Sequence, residues 1–248
     1  MVLSPYNTEM SYVSQKAKID KTAVLGRCLV LGRSIVGEYS LIDDYVIIGY
    51  PVRKKILSII KYSSGREILH EIMDKISEGS EIGSNVLIRR GTVIYERVKL
   101  GDYVETGHNV LVRENTKIGR GTKIGTGTII DGNTTIGNGV NIQSGVYIPP
   151  MTVIKDNVFL GPFVIITNDR YPPSSRLLGV VIEEGAVIGA GAILLAGVKI
   201  GKQAVVGAGA TVTRDVDENT VVVGTPARFT SSRQVYELKR RMYQEGRL

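Results

Sequence analysis

A period of six residues governs most of this chain. Stepping by six from Ile82 meets Ile82, Ile88, Ile94, Leu100, Thr106, Val112, Ile118, Ile124, Ile130, Ile136, Ile142, Ile148, Ile154, Leu160 and Ile166, all aliphatic except Thr106. Four residues beyond each stop, from Val86 to Val164, stands a Val or a Thr every time. The phase resumes at Ile182 and runs through Ile188, Leu194, Ile200 and Val206 to Val212. An earlier run, Ile19, Leu25 and Leu31, slips by one residue and continues at Val36, Ile42 and Ile48. A six-residue period fits neither the roughly 3.6 residues of a helical turn nor a hairpin meander, but it suits a short strand and a tight corner repeated many times.

Three such hexads make a triangular coil, which would stack Ile118, Ile136 and Ile154 in a ladder at about 4.8 Å per coil. Each corner needs a residue that tolerates left-handed φ, and Gly121, Gly127, Asn133, Gly139 and Gly145 supply it. The 29 glycines among 248 residues, with three Phe and no Trp, fit a backbone that turns often around a core one side chain wide. Cys28 is the lone cysteine, which excludes a disulfide framework and a CxxC zinc site and fits a reducing compartment. The uncharged stretch from Gly185 to Val198 is too short to span a bilayer, and no leader pattern opens the chain, so a cytoplasmic protein with no membrane partner is expected. The net charge of +7 is spread among interleaved acids, which argues against a nucleic-acid partner and leaves a polyanionic small ligand.

The repeat [Ile/Leu/Val]-Gly-x-x-[Thr/Val/Ala]-x covers roughly 19–216 with two interruptions, and in this it resembles the hexapeptide-repeat acyltransferases. That resemblance implies an all-β solenoid, a left-handed parallel β-helix. It also implies a homotrimer with sites between subunits. The expected organisation is one β-helix domain over 1–228, with a helical insertion at 53–79 and a loop at 167–181, then a C-terminal α-helix over 229–248.

Fold does not fix chemistry, so function is sought where the repeat breaks. The first break carries an amphipathic pattern at Ile68, Leu69, Ile72, Met73 and Ile76, expected to be one helix capped by Ser64 and packed outside the coil, with His70 as a surface residue. The second, between Ile166 and Ile182, is a natural place for a binding loop. Its segment VFLGPFVIITNDRYPP resembles the corresponding loop of bacterial nucleotide-sugar N-acetyltransferases, which implies that Asn168, Asp169 and Tyr171 lie near the donor or the acceptor.

The third feature is Thr106-Gly107-His108-Asn109, where the non-aliphatic stop meets the histidine of the coil. His108 could serve as general base or as a corner or substrate-binding residue, and it lies about three coils, roughly 15 Å, below the 167–181 loop. Without an assured base, an amine acceptor is favoured over a sugar hydroxyl, because a neutral amine attacks a thioester once positioned. The expected catalytic set is His108, Asn168 and Asp169. Gln143, Tyr171 and Glu105 are the expected substrate-binding residues, with Gln143 helping to orient the amine and the thioester carbonyl.

The last coils, ending in Gly224-Thr225-Pro226-Ala227-Arg228, resemble the acetyl-coenzyme A region of the family. This implies that Ala190, Ala192, Ala208 and Ala210 make room for the pantetheine arm. By the same resemblance Lys199, Lys202, Arg214 and Arg228 cluster near the phosphates, and Pro226 and Arg228 lie beside the adenine. The segment after it, with Val235, Leu238 and Met242 on one side, is expected to be a basic helix that caps the open end or packs on a neighbour.

The expectation is an acetyl-coenzyme A-dependent N-acetyltransferase of a nucleotide-linked amino sugar, for polysaccharide or glycan biosynthesis, needing no metal. O-acetylation of a sugar or other small hydroxyl acceptor is one alternative, and a non-catalytic trimeric scaffold is another. The zinc γ-type carbonic anhydrases share the fold but bind metal through three histidines, which His70 and His108 cannot provide.

Overall fold

Aliphatic residues at every sixth position can share one core only if the chain turns through a third of a circle at each hexad. The computed structural model, which describes residues 11–62 and 68–247, follows that path as a parallel-strand solenoid of about 11 turns. Its walls are three sheets: sheet 1 has ten strands beginning at Tyr12–Val13, sheet 2 has nine beginning at Lys18–Ile19, and sheet 3 has eleven beginning at Val24–Leu25. Ile118 pairs with Ile136 and Ile136 with Ile154, so the expected ladder is present. In each two-residue strand of the central coils the second residue points inward, and Ile130, Ile142, Ile148 and Ile154 are fully buried.

The alternation of Val and Thr four places beyond each stop has a local cause. Thr116, Thr122 and Thr152 are buried, and their hydroxyls donate to the carbonyls of Arg113, Gly137 and Pro149 at 2.8–2.9 Å. A Thr there matches the shape of Val while its hydroxyl finds a partner, so burial carries no unsatisfied group.

Corner residues adopt positive φ as expected, Gly121 at 66° and Asn133 at 46° among them. The same conformation is also imposed on Tyr45, Tyr103, Met151 and Phe163, which composition alone did not indicate. The early slip in the repeat also needs correction. Val30, paired with Ile48, is the inward strand residue, so the shortened corner is Gly26-Arg27-Cys28, and the buried Leu31 follows the strand.

Among its described residues the insertion holds two helices rather than the one expected, α1 (Arg53–Tyr62) and α2 (Leu69–Ile76). The expected cap Ser64 lies outside the described residues. Both helices leave from the corner between sheets 1 and 2, after the strand Ile47–Tyr50 and before Glu81–Ile82. They are anchored by Glu96, whose fully buried carboxylate accepts from Lys55 Nζ at 2.8 Å and from the backbone N–H of Val52 and Glu78. Asp74 of α2 accepts from Gly32 N at 2.6 Å, and His70 packs on the Tyr12 ring.

At the C-terminal end, the strand Arg228–Ser232 runs antiparallel along Thr220–Val223 and covers the edge of sheet 3. It crosses the expected domain boundary at 228. Thus a strand, not the terminal helix, closes that edge. Helix α3 (Arg233–Gln244) is capped by Ser232, buries none of its residues, and is tied to the coil by Arg233 donating to Gln203 O at 3.1 Å.

Candidate active site

The three edges of the prism differ in what they carry. At the corner between sheets 3 and 1, successive coils place Gly107-His108-Asn109, Gly125-Thr126-Gly127, Gln143-Ser144-Gly145, Gly161-Pro162-Phe163, Gly189-Ala190-Gly191 and Gly207-Ala208-Gly209 one above another. The backbone records this stack directly. Gly127 N donates to His108 O, Gly145 N to Thr126 O, Phe163 N to Ser144 O, Gly191 N to Pro162 O and Gly209 N to Ala190 O, all at 2.8–2.9 Å. Above them the Gly224–Arg228 turn closes the same edge, with Thr211 N donating to Gly224 O at 3.1 Å and Ala227 N to Thr211 O at 2.8 Å.

This edge is almost bare of side chains in its upper half. A Cβ added at Gly127, Gly191 or Gly209 would meet nothing within 4 Å, and all three lie at positive φ. The interruption is Phe163, two-thirds exposed, whose ring lies so close over Gly145 that a Cβ there would meet it at 2.5 Å. The bare edge therefore runs past Ala190 and Ala208 and is narrowed at Phe163.

The expected site residues divide between this edge and others. Ala190 and Ala208 lie on it and are exposed, whereas Ala192 and Ala210 point inward and are fully buried, so these two belong to the core and cannot line a ligand. Pro226 and Arg228 belong to the closing turn and the strand that follows it. His108 and Gln143 are on the same edge two coils apart, and Glu105 is on the adjoining face of sheet 3, paired with Lys123 at 3.6 Å.

The four expected cations do not form one cluster in the chain. Lys199 is on the outer face of sheet 2 beside Glu183 at 3.1 Å, and Lys202 is at the corner between sheets 2 and 3, bound to Glu184 at 2.8 Å. Arg214 is at the corner between sheets 1 and 2. Arg228 alone of the four stands at the top of the bare edge.

The loop 167–181 also leaves from the corner between sheets 1 and 2. It begins after the strand Ile165–Ile166, whose other end carries Phe163, so loop and Phe163 are at the same height on opposite edges of sheet 1. Within the loop, Asp169 accepts from the amides of Tyr171 and Ser174 and from the Ser174 hydroxyl at 2.7–3.0 Å. Partial desolvation pushes its pKa upward, but these three donors outweigh it and the carboxyl titrates below the ordinary Asp range. Asp169 is therefore an ionised organiser of the loop. Tyr171 is exposed, Asn168 O accepts from Leu178 N at 2.8 Å, and the Asn168 side chain makes no hydrogen bond among the described residues.

His108 is exposed, and its imidazole has neither a hydrogen-bond partner nor an ion pair among the described residues. It lies three coils below Pro162, about 14 Å. The reading of the sequence missed Gly127, Ser144, Phe163, Gly191 and Gly209 as members of this edge. A count by eighteens along 108, 126, 144 and 162, with ten residues added for the loop, reaches 190 and 208 and would have found them.

Among the described residues, no group of three His, Cys, Asp or Glu side chains could hold a metal, and no helix is long and apolar enough to cross a membrane. Residues 115–150 and 179–214 match the family described as bacterial transferase hexapeptide, six repeats. A tetrahydropyridine-dicarboxylate N-acetyltransferase of Halalkalibacterium halodurans is 51% identical over 72 residues, 29% of this chain and 29% of that protein. The chain thus matches less than a third of that relative's length. Among solved structures, a UDP-N-acetylglucosamine acyltransferase of Francisella novicida is 19% identical with a TM-score of 0.49, covering 94% of this chain and 72% of that one. A variant perosamine N-acetyltransferase of Caulobacter crescentus, in complex with CoA and GDP-perosamine, is 20% identical with a TM-score of 0.40, covering 78% and 70%. Likeness at this level identifies neither substrate nor reaction.

Proposed function

Because the chain carries the bacterial transferase hexapeptide repeat and belongs to that family, we propose that it is an acetyl-coenzyme A-dependent N-acetyltransferase of an amino sugar carried on a nucleotide. It would act in the cytoplasm, in polysaccharide or glycan biosynthesis. The observation that carries this reading is the bare edge between sheets 3 and 1, closed at its top by the Gly224–Arg228 turn. A long, thin donor needs such a track. The pantetheine arm is roughly 14 Å, the span of four extended residues at about 3.3–3.6 Å each. Hung from the closing turn, it passes Ala208 and Ala190 and brings the sulfur towards Phe163 and Ser144.

The outer face of sheet 1 supports a homotrimer. Its outward residues Leu29, Ile47, Val93, Leu111, Ile129, Ile165 and Ile193 form an apolar strip, with Ile129, Ile165 and Ile193 exposed. Three copies packed by this face about a threefold axis bring the corner between sheets 1 and 2 of one subunit against the bare edge of the next. In that arrangement the loop 167–181 of one copy meets Phe163 of another at equal height. Arg214 also reaches the donor edge from the neighbour, while Lys199 and Lys202 stay remote from it.

The reaction exchanges a C–S bond for a C–N bond and moves one proton from nitrogen to sulfur. The acceptor amine attacks the thioester carbonyl, the C–S bond breaks, coenzyme A leaves as thiolate, and the proton lost by nitrogen neutralises it. Amine transfer is favoured over hydroxyl transfer because neither candidate base is arranged to remove a hydroxyl proton. Among the described residues His108 has no partner to orient it, and Asp169 is occupied by three donors. The residues near the sulfur then serve position, with Asn168 and Gln143 offering amide groups to the amine and the carbonyl. Calorimetry with coenzyme A, followed by thiol release over nucleotide-linked amino sugars, free amino sugars and plain sugars, tests this reading. Binding with amine-dependent thiol release is expected, and no heat with coenzyme A would overturn it.

A further inference from the structure

Below His108 the bare edge changes character. The next corner down carries Arg89 and Arg90, the one beneath it Asp43, Asp44 and Tyr45, and the one beneath that Arg27. Asn109 N donates to Arg90 O at 3.0 Å and Tyr45 N to Arg27 O at 2.7 Å, so these corners are stacked in register with His108.

The charges in this stack are unequally engaged. Arg27 Nη2 binds Asp44 Oδ2 at 2.5 Å, and Asp44 also accepts from Arg27 N. Asp43 accepts from Asp44 N at 2.6 Å and from Arg90 N at 3.1 Å. Both acids thus make their hydrogen bonds with Arg27 and backbone donors, while the Asp44 charge also acts on Arg90 from beyond ion-pair distance. The guanidiniums of Arg89 and Arg90 are exposed and make no hydrogen bond or ion pair among the described residues. Arg90 is nevertheless held in place, because its guanidinium lies 4.5 Å from the centroid of the Tyr45 ring.

We propose that Arg89 and Arg90 bind a phosphate ester carried by the acceptor. The acceptor would then lie along the edge from the thioester end, past His108, to the two guanidiniums. This rests on the donor reading of the same edge and on a nucleotide-linked acceptor, and adds the residues that hold the acceptor's phosphate and the direction in which it lies. Guanidinium forks match phosphate oxygens in charge and geometry, and a fork already stacked on an aromatic ring loses less freedom on binding. The run from the Ser144 corner to the Arg90 corner is three coils, about 14 Å. That leaves room for a sugar with its phosphates, and His108, two coils below Ser144 and one above Arg90, serves as a contact to the acceptor rather than as a base.

The test is calorimetry with two probes, inorganic pyrophosphate and uridine 5′-diphosphate, on the whole chain with coenzyme A present in excess so that the donor's phosphate site is filled. Wild type is expected to bind at least one probe. The double variant Arg89→Gln, Arg90→Gln should weaken that binding about tenfold to a hundredfold, and Arg90→Lys should retain part of it. Raising ionic strength should weaken the wild type more than the double variant. With a turning-over acceptor, KM for the phosphorylated form should rise in the double variant while kcat stays within about threefold. Failure of wild type to bind either probe, or equal binding by the double variant, overturns the proposal. The donor reading is judged separately by the heat of coenzyme A binding in the same variants, which should be unchanged; a chain that binds the phosphate probe but not coenzyme A would refute the donor reading alone.

Discussion

Two edges of one prism, built from the same hexad, carry very different side chains. At the edge between sheets 2 and 3, corner side chains accept hydrogen bonds from the corner below. Asp102 Oδ1 takes Ser84 N, Asn138 Oδ1 takes Arg120 N and Asp156 Oδ1 takes Asn138 N, at 2.7–2.9 Å. Higher up the same edge, Lys202 pairs with Glu184. Among the described residues, no corner side chain of the edge between sheets 3 and 1 above Gly145 accepts from the corner below, and only Thr225 of the closing turn reaches down, its Oγ1 donating to Gly209 O at 3.4 Å. Its corners are Gly-Ala-Gly at 189–191 and 207–209, and nothing lies within 4 Å of a Cβ at Gly191 or Gly209. Both edges hold their coils together through the backbone, so the fold does not require the stripping of side chains from one of them. The difference therefore points to a ligand rather than to stability.

The comparison can be broken most directly with bulk. Ala190→Trp should weaken coenzyme A binding by more than about a hundredfold, or about 2.7 kcal/mol, while Glu184→Trp on the other edge should change it by less than about twofold. Losing only an exposed ion pair, the second variant should keep its fold. Equal effects from the two would remove the distinction between the edges.

Next in size is the face that would bring a neighbour to the bare edge. Ile165→Arg with Ile193→Arg places charge in the apolar strip of sheet 1 and is expected to reduce the mass by light scattering from three chains to one. Activity should fall by at least about tenfold, since the loop 167–181 would no longer reach the donor edge of another copy. A trimer that survives with full activity would place the interface elsewhere.

A smaller effect is expected at His108. His108→Ala should lower kcat by less than about fivefold, well short of the roughly 10²- to 10⁴-fold of a lost general base, while raising acceptor KM. A pH profile that loses its acidic limb in this variant would restore the base role.

The smallest effects are titrations at the lower end of the same edge. Hydrogen bonds from Arg27 hold the Asp44 carboxyl down to about 2, so its contribution to stability is present above the ordinary Asp range and is lost as pH falls through about 2. Asp44→Asn should flatten that acid limb in thermal melts. Burial pushes the Cys28 thiol up to about 11, so it should resist alkylation at pH 8 in the folded chain and react once unfolded.

Much of this architecture is legible in the residues because one period controls the core. The Ile ladder and the left-handed corners at Gly121 and Asn133 follow from spacing alone, as the pairing of Ile118 with Ile136 shows. The insertion was less legible. In α1 the apolar Ile56, Leu57, Ile59 and Ile60 are mixed with Lys54, Lys55 and Lys61, and the buried Glu96 that anchors it sits 34 residues beyond α1's last residue. The candidate site was legible by residue type but not by edge. Ala190 and Ala192 look alike in the sequence, yet one is exposed at a corner and the other fills the core. Lys199, Lys202 and Arg214 are close in sequence and lie on a face and two corners of the prism, because twelve residues carry the chain through two-thirds of a coil.

The central claim is that the edge between sheets 3 and 1 is the donor track. A crystal structure with coenzyme A bound tests it most directly. The account predicts the adenine end beside the Gly224–Arg228 turn, the arm over Gly209 and Gly191, and the sulfur between Phe163 and Ser144. Coenzyme A lying along the charged edge between sheets 2 and 3, or with its sulfur pointing away from Phe163, would contradict it.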